Sequence, residues 1–296
     1  MIVATGTADP PFSTPGRGGG LSEVLRRRYL LRLLVRRELR SRYQGSLLGL
    51  GWSYVRPAVN FAVYYFVVGV FLGLGRGTQN LPIYLFAGMV LLNVFTETMT
   101  TSTWSVVGNG ALVKKVYLPR ELFPLASLLV SVVNMVPGFA ILWVGAIFAG
   151  WRPSVLAFGS AVLGFAIVAV LATAVALLFS GVNVFFRDFG QVVDILGILI
   201  PWSVPMIYPW TVVRDFFGPG SWQLELYLSN PLAIAVSLFQ RAFWWPTTGR
   251  SFTPGDHTFP GHLTARGLLV LGAALAVLGL AQAVFFRLQR RFAQEL

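Results

Sequence analysis

The chain has 296 residues, of which 55% are apolar and 11% charged, with a net charge of +12 and no cysteine. Soluble domains carry roughly 25% charged residues, so this composition describes a chain dissolved mainly in lipid, and the lack of cysteine excludes disulfides, thiolate metal sites and cysteine nucleophiles. The positive charge flanks apolar runs with no soluble core to carry a groove reader, which argues against nucleic acid as a partner.

Residues 1–20 are rich in Gly, Pro, Ser and Thr and lack the apolar stretch of a secretory signal; they read as a disordered cytoplasmic arm. From 21 to 43 the period turns helical. Arg26, Arg28, Arg32, Arg36, Arg37 and Arg40 fill one half of the wheel, and Leu21, Leu30, Leu31, Leu34, Val35 and Leu39 fill the other. Such a helix lies in the inner membrane interface with its arginines among anionic lipid heads. Periodicity alone leaves open whether it also meets a cytoplasmic partner or an anionic substrate head. Gly45 and Gly49 fit a small-xxx-small pattern, and Trp52, Tyr54 and Arg56 suit the interface just before the first span.

About 20 mostly apolar residues cross a bilayer. Windows 57–74, 81–104, 122–151, 153–186, 192–209 and 267–286 qualify, with Glu97 and Asp194 as their only charges and Pro137 placed to kink the third. Six crossings put both ends of the chain on one side. With the N-terminus inside, the inner segments hold Arg17, Arg26, Arg27, Arg28, Arg32, Arg36, Arg37, Arg40, Arg42, Arg56, Lys114, Lys115, Arg120, Arg187, Arg287, Arg290 and Arg291. Only Arg76, Arg152, Arg214, Arg241, Arg250 and Arg266 fall outside. Residues 226–240 are apolar but short and interrupted by Pro231, which predicts a re-entrant or interfacial helix pair on the outer side. Phe243, Trp244 and Trp245 would then sit at headgroup depth, and residues 246–264 would form an exposed loop.

A charge within a span costs about 2.5–3.5 kcal/mol at the bilayer centre, so Glu97 and Asp194 need either a partner, such as an arginine of the N-terminal helix, or a polar pathway to line. No catalytic constellation stands out. The only lysines, Lys114 and Lys115 in "GALVKKVY", lack the Gly-Lys-Ser/Thr context of a P-loop. His257 and His262 with Asp256 make a conceivable zinc set, but a solvated loop accounts for them as well. Two inner connections stand out: "NGALVKKVYLPREL" (109–122), a short basic helix, and "NVFFRDFGQVVD" (183–194), with Arg187 and Asp188 at a turn. They read either as ordinary interfacial loops or as docking knobs for a motor.

The stretches "LRSRYQGSLLGLGWSYVRP", "NGALVKKVYLPRELFPL", "FFRDFGQVVDIL", "PWSVPMIYP", "LSNPLA" and "RLQRRFAQEL" together resemble the permease subunits of ABC-2 type exporters. Within these they are similar to the Wzm-like polysaccharide exporters that move O-antigen, teichoic acid or galactan chains. The Arg-rich, Lys-poor usage leans toward a mycobacterial-type galactan exporter. The resemblance runs from residue 25 to the C-terminus but leaves the loop 246–264 unmatched.

It implies an all-α polytopic membrane protein of six transmembrane helices in the inner membrane of a bacterium, with cytoplasmic termini, an N-terminal interface helix and outer re-entrant gate helices at about 213–245. Its parts are an arm (1–20), the interface helix and start of the first span (21–56), the transmembrane domain (57–286) and a cytoplasmic tail (287–296). It further implies a homodimer, each copy paired with a separate ABC ATPase that binds the ATP and magnesium, so that this chain holds no cofactor, metal or catalytic residue of its own. Coupling to the ATPase falls on Val113, Lys114, Lys115, Val116, Tyr117, Leu118, Arg120, Arg187 and Asp188, and the outer gate on Asn230, Pro231, Trp244 and Trp245.

A polyprenyl-pyrophosphate-linked glycan has a polar chain that needs a wet channel and a tail that stays in lipid. Sugar C–H faces slide on aromatic rings, which nominates Tyr54, Tyr64, Tyr65, Phe95, Trp104, Trp143, Trp202 and Tyr208 for the path. Arg28, Arg32, Arg42 and Arg56 are candidates for the headgroup at the inner mouth. The alternatives are a small-molecule or lipid ABC-2 exporter, a membrane-embedded glycan-modifying enzyme, and a structural membrane partner.

Overall fold

A computed structural model describes residues 20–45, 51–73, 78–115, 118–249 and 258–296. Among these there is no strand. The expected amphipathic helix is present but bends at Arg27, giving α1 (Gly20–Arg26) and α2 (Arg28–Tyr43). Arg27 leaves helical geometry (φ −97°, ψ 33°) while its side chain pairs with Glu23 at 2.8 Å. Along α2 the arginines are exposed except Arg42, and the Leu30, Leu31, Leu34, Val35 and Leu39 face is half-buried. That face rests mainly on α6 (Leu122–Phe148).

The first expected crossing is α3 (Trp52–Val63), which widens into a π-helical continuation, Tyr64–Phe71. Among the described residues four helices are long and apolar enough to cross a membrane: α4 (Leu81–Ser105), α6, α7 (Val155–Phe185) and α12 (Leu263–Leu288, extended by a tight turn to Arg291). At 1.5 Å per residue the 31-residue α7 is about 46 Å long, more than a bilayer core requires. The fifth expected crossing is shorter than its apolar window. It forms α8 (Phe189–Leu199) and a 3-10 turn ending at Ser203, after which residues 204–207 run buried through the core.

These helices pack in the order α6, α4, α7, α12, with α3 and α8 set against α4. Between α8 and α12 come α9 (Trp210–Phe217), α10 (Trp222–Leu228) and α11 (Pro231–Phe243). Helix α11 is not interfacial: almost every one of its residues is buried, wedged between α4, α7 and α12. Glycines permit that close approach. A Cβ at Gly164 of α7 would lie 2.9 Å from the Ala235 carbonyl oxygen, and one at Gly88 of α4 would meet Val236 and Met206.

The antiparallel packing gives the bundle two distinct ends. One gathers α1, α2, α5 (Gly110–Lys115), the α7–α8 turn and the tail helix α13 (Phe292–Glu295), and is rich in arginine. Its own apolar cluster joins Val106, Val113, Phe123, Leu177, Val184, Phe285 and Phe292. At the other end Trp151 Nε1 donates to the Ala242 carbonyl (2.9 Å), Trp244 Nε1 to the Gln79 carbonyl (2.6 Å) and Asn80 Nδ2 to the Thr247 carbonyl (3.0 Å).

Candidate functional site

At the basic end a polar cluster joins three helices. Arg42 Nη1 donates to Glu97 Oε1 of α4 at 2.9 Å, and Asn134 Nδ2 of α6 donates to the same oxygen at 2.7 Å. Arg42 Nε also reaches Glu38 at 3.3 Å. Of the two accounts of Glu97, pairing with an arginine of the N-terminal helix is the one observed. The guanidinium of Arg42 is therefore already held by two carboxylates, whereas Arg28 and Arg32 are exposed. The side chain of Arg56 lies outside the described residues. Asn134 escaped the sequence reading, although an amide in a charge-free span was its visible sign.

Asp194 behaves differently. It is exposed on α8 and has no ion pair among the described residues. Asp194, Ile198 and Trp202 recur every fourth residue, and all three are exposed. Trp202 meets Tyr64 edge to face, with ring centroids 6.4 Å apart, and its carbonyl accepts from Tyr208 Oη at 2.7 Å. Tyr65 sits alongside, stacked on Phe61 at 6.1 Å. The fold thus brings Tyr64, Trp202 and Tyr208 together on one flank.

The other path candidates are elsewhere. Phe95 is 4% exposed inside the bundle and cannot face a passage; apolar content alone did not show which way α4 turns it. Trp143 is exposed on α6 and makes no ring contact with the others among the described residues. Trp104 is exposed at the basic end, where its ring lies on Gly190 and leaves no room there for a Cβ. The side chain of Tyr54 is outside the described residues.

The two inner connections share one foundation. Lys114 and Lys115 are exposed at the end of α5, and Arg187 and Asp188 are exposed at the α7–α8 turn. Val113 faces inward and anchors α5 instead of projecting from it. Leu118 packs against the same cluster, and the Arg120 guanidinium lies 5.6 Å from the Phe292 ring centroid. Val116 and Tyr117 lie outside the described residues. Phe292 is fully buried, with Phe285 at 5.5 Å and Phe185 at 6.1 Å. Leu296 comes within 3.8 Å of where a Cβ on Gly110 would sit. The tail therefore touches the bases of both connections.

Beneath it Glu121 is fully buried, with Gln282 and Gln289 amides each 3.4 Å from Oε1 and no hydrogen bond to Oε2 among the described residues. Burial raises its pKa above the ordinary carboxylate value; its own backbone N–H and the two amides oppose the shift, while nearby Glu23 adds to it.

At the opposite end Asn230 caps α11, its Oδ1 accepting from Leu232 N at 3.0 Å, and Pro231 follows at the first helical position. Trp244 and Trp245 are buried within the protein and do not face outward. They join Tyr84 and Phe259 in an aromatic cluster, with Trp244 to Tyr84 at 5.0 Å and Trp245 to Phe259 at 5.7 Å. The loop 246–264 is likewise not exposed throughout, because Phe259 and Pro260 are buried and Trp210 Nε1 donates to the Thr258 carbonyl at 2.9 Å; His257 and Asp256 lie outside the described residues. Tyr84 Oη and Gln240 Nε2 both donate to the Pro205 carbonyl at 2.8 Å, which fastens the segment after α8 to α4 and α11.

Comparison with known proteins fits this architecture. Residues 29–244 match the family described as "ABC-2 type transporter". The chain is 26% identical over 269 residues to the O-antigen export system permease protein RfbA of Klebsiella pneumoniae, covering 90% of this chain and 94% of that protein. It is 26% identical over 277 residues to the protein of the same name from Myxococcus xanthus, covering 93% and 98%. With more than two thirds of its length matched and its polytopic helical fold in place, the chain belongs to the ABC-2 type transporter family.

Proposed function

We propose that this chain is the membrane subunit of an exporter that moves a lipid-linked polysaccharide from the cytoplasmic side of a bacterial plasma membrane, as a homodimer driven by a separate ABC ATPase. The observation that carries this reading is the exposed row Asp194, Ile198 and Trp202 along α8 and the turn that ends it, whose far end, Trp202, meets Tyr64 and Tyr208. Asp194 is in the second turn of α8, near the basic end, so facing lipid there costs it less than the roughly 2.5–3.5 kcal/mol of the bilayer centre but still more than facing water. Facing a second copy across a wet passage removes that cost and lines the passage with rings on which sugar faces slide. Relatives named as O-antigen permeases and matched nearly end to end support a glycan as the cargo.

The basic end is the cytoplasmic one in this reading, following the bias of Lys and Arg. Lys114, Lys115, Arg187 and Asp188 then form the surface that meets the ATPase, and ATP and magnesium are bound by that partner. A push there passes through the Val113–Phe292 cluster into α7 and α12. The ends of α9 to α11, fastened through Pro205, Asn230 and Trp244, form the outer gate. The galactan class of substrate is favoured by composition alone.

The test is reconstitution of the full-length chain with its cognate ATPase in vesicles, with lectin accessibility of a lipid-linked glycan as the readout. ATP-dependent appearance of glycan on the far side is expected, and Asp194→Leu or Trp202→Ala should slow it. Transport of small amphiphiles with no glycan movement would overturn the assignment in favour of a small-molecule or lipid exporter. Glycan turnover by the chain alone would overturn it in favour of an enzyme.

A further inference from the structure

A groove of about 650 Å³ opens at the basic end between the start of α1 and the last turns of α12. It is lined by Gly20 of α1 and, along α12 and the turn that ends it, by Gln282, Ala283, Phe286, Arg287 and Arg290. The two arginines stand three residues apart and so project from one side of the helix. Neither has an ion pair among the described residues, and the Arg290 guanidinium is positioned 5.3 Å from the Phe286 ring centroid. Farther into the bilayer α12 presents bare apolar side chains, Leu269, Leu275 and Leu280, each more than half exposed. Two free cations above an apolar helix face match an anionic headgroup above its acyl chains.

We infer that this groove is a binding site for one anionic phospholipid of the surrounding bilayer, its phosphate held by Arg287 and Arg290 and its chains lying along α12. The occupant is a resident lipid and not the cargo. Helix α12 packs on α7, α11 and α1, while the aromatic flank proposed as the passage is built from the π-helical end of α3 and from α8, which pack on α4. The lipid wedges α1 against α12 beside Gln282, whose carboxamide also reaches Glu121 under the tail. Lipid binding and the seating of the tail are therefore coupled through one side chain.

The experiment is native mass spectrometry of the full-length protein in detergent, with phosphatidylglycerol and phosphatidylcholine as probes. The most firmly retained lipid should be phosphatidylglycerol, preferred by roughly thirtyfold for two arginines near an anionic head. Arg287→Gln with Arg290→Gln should abolish that preference, while Arg152→Gln, an exposed arginine at the opposite end of the bundle, should leave it intact. Should the glutamine pair fail to fold, Ala283→Trp keeps both charges but puts a bulky ring into the groove, and it should expel the lipid equally. Equal retention of the two phospholipids, undiminished retention in Arg287→Gln/Arg290→Gln or in Ala283→Trp, or loss only in Arg152→Gln would each overturn the site. Displacement by millimolar inorganic phosphate would show a free-anion site instead. Displacement by equimolar undecaprenyl phosphate would show a carrier-lipid site.

Discussion

Arg42 of the interface helix and Glu97 of α4, 55 positions apart in sequence, share a hydrogen-bonded ion pair of 2.9 Å, with side-chain exposures of 25% and 28%. The pair ties an interface helix to a membrane-spanning one at a depth where a lone carboxylate is costly. Removing the cation leaves that carboxylate with Asn134 as its one remaining hydrogen-bond partner among the described residues. Arg42→Ala should therefore destabilise the protein by about 1–3 kcal/mol. Glu97→Gln should cost less, since an amide oxygen still accepts from both Arg42 and Asn134. The double variant should be more stable than the two losses added together. Thermal unfolding of the full-length protein in detergent, followed by tryptophan fluorescence, measures the cycle; strict additivity would mean that the pair is incidental.

Glu121 gives a pH dependence of opposite sign to that of a salt-bridged acid. Its folded-state pKa is raised by burial, so between the unfolded value of about 4.3 and the folded value the native state holds the extra proton. The stability it contributes is present at low pH and is lost as pH rises through that window. Glu121→Gln should raise the unfolding temperature at pH 7 and flatten the slope above about pH 4.3. An unfolding temperature that instead fell in the variant at pH 7 would show that the carboxylate is ionised and favourably paired.

Much of this was legible in the residues, for physical reasons that also mark where legibility stopped. Long charge-free runs gave the crossing helices because lipid tolerates little else, and the price of Glu97 in lipid pointed to an arginine on the amphipathic helix. The short length and Pro231 set α11 apart from a full crossing. Its burial was not legible, because an apolar helix end with Trp244 and Trp245 looks the same whether it meets headgroups or Phe259 and Tyr84. Phe95 shows the same ambiguity within α4. Charge marked the two inner connections, but their common seating depends on Phe292, which lies far along the chain and carries no local signal of that role.

That seating separates two kinds of change at the basic end. Phe292 is fully buried, so Phe292→Ala should cost on the order of 3–5 kcal/mol and loosen α5 together with the α7–α8 turn. In a complex with the ATPase, transport per ATP hydrolysed should fall even where assembly persists. Lys114→Glu with Lys115→Glu changes exposed groups, so stability should stay within about 0.5 kcal/mol of wild type while ATPase association weakens. Affinity capture and coupled ATPase assays distinguish them. Identical behaviour of the two variants would remove the distinction between strut and docking surface.

Gly190 offers a test in which one substitution changes sign. In an exposed helix Gly→Ala gains about 0.5–1 kcal/mol by reducing the freedom of the unfolded chain. At Gly190, in the first turn of α8, the new Cβ would fall on the Trp104 ring at the end of α4, so the ring or the helix must move. Overpacking of this kind costs about 1–3 kcal/mol and should outweigh the gain. Gly190→Ala alone is therefore expected to destabilise, yet in a Trp104→Ala background it should stabilise by about 0.5–1 kcal/mol. The four proteins of this cycle, unfolded thermally in detergent, decide the matter. If Gly190→Ala stabilises with the tryptophan present, the ring yields freely, and a push at Arg187 and Asp188 would not pass from α8 to α4 by this contact.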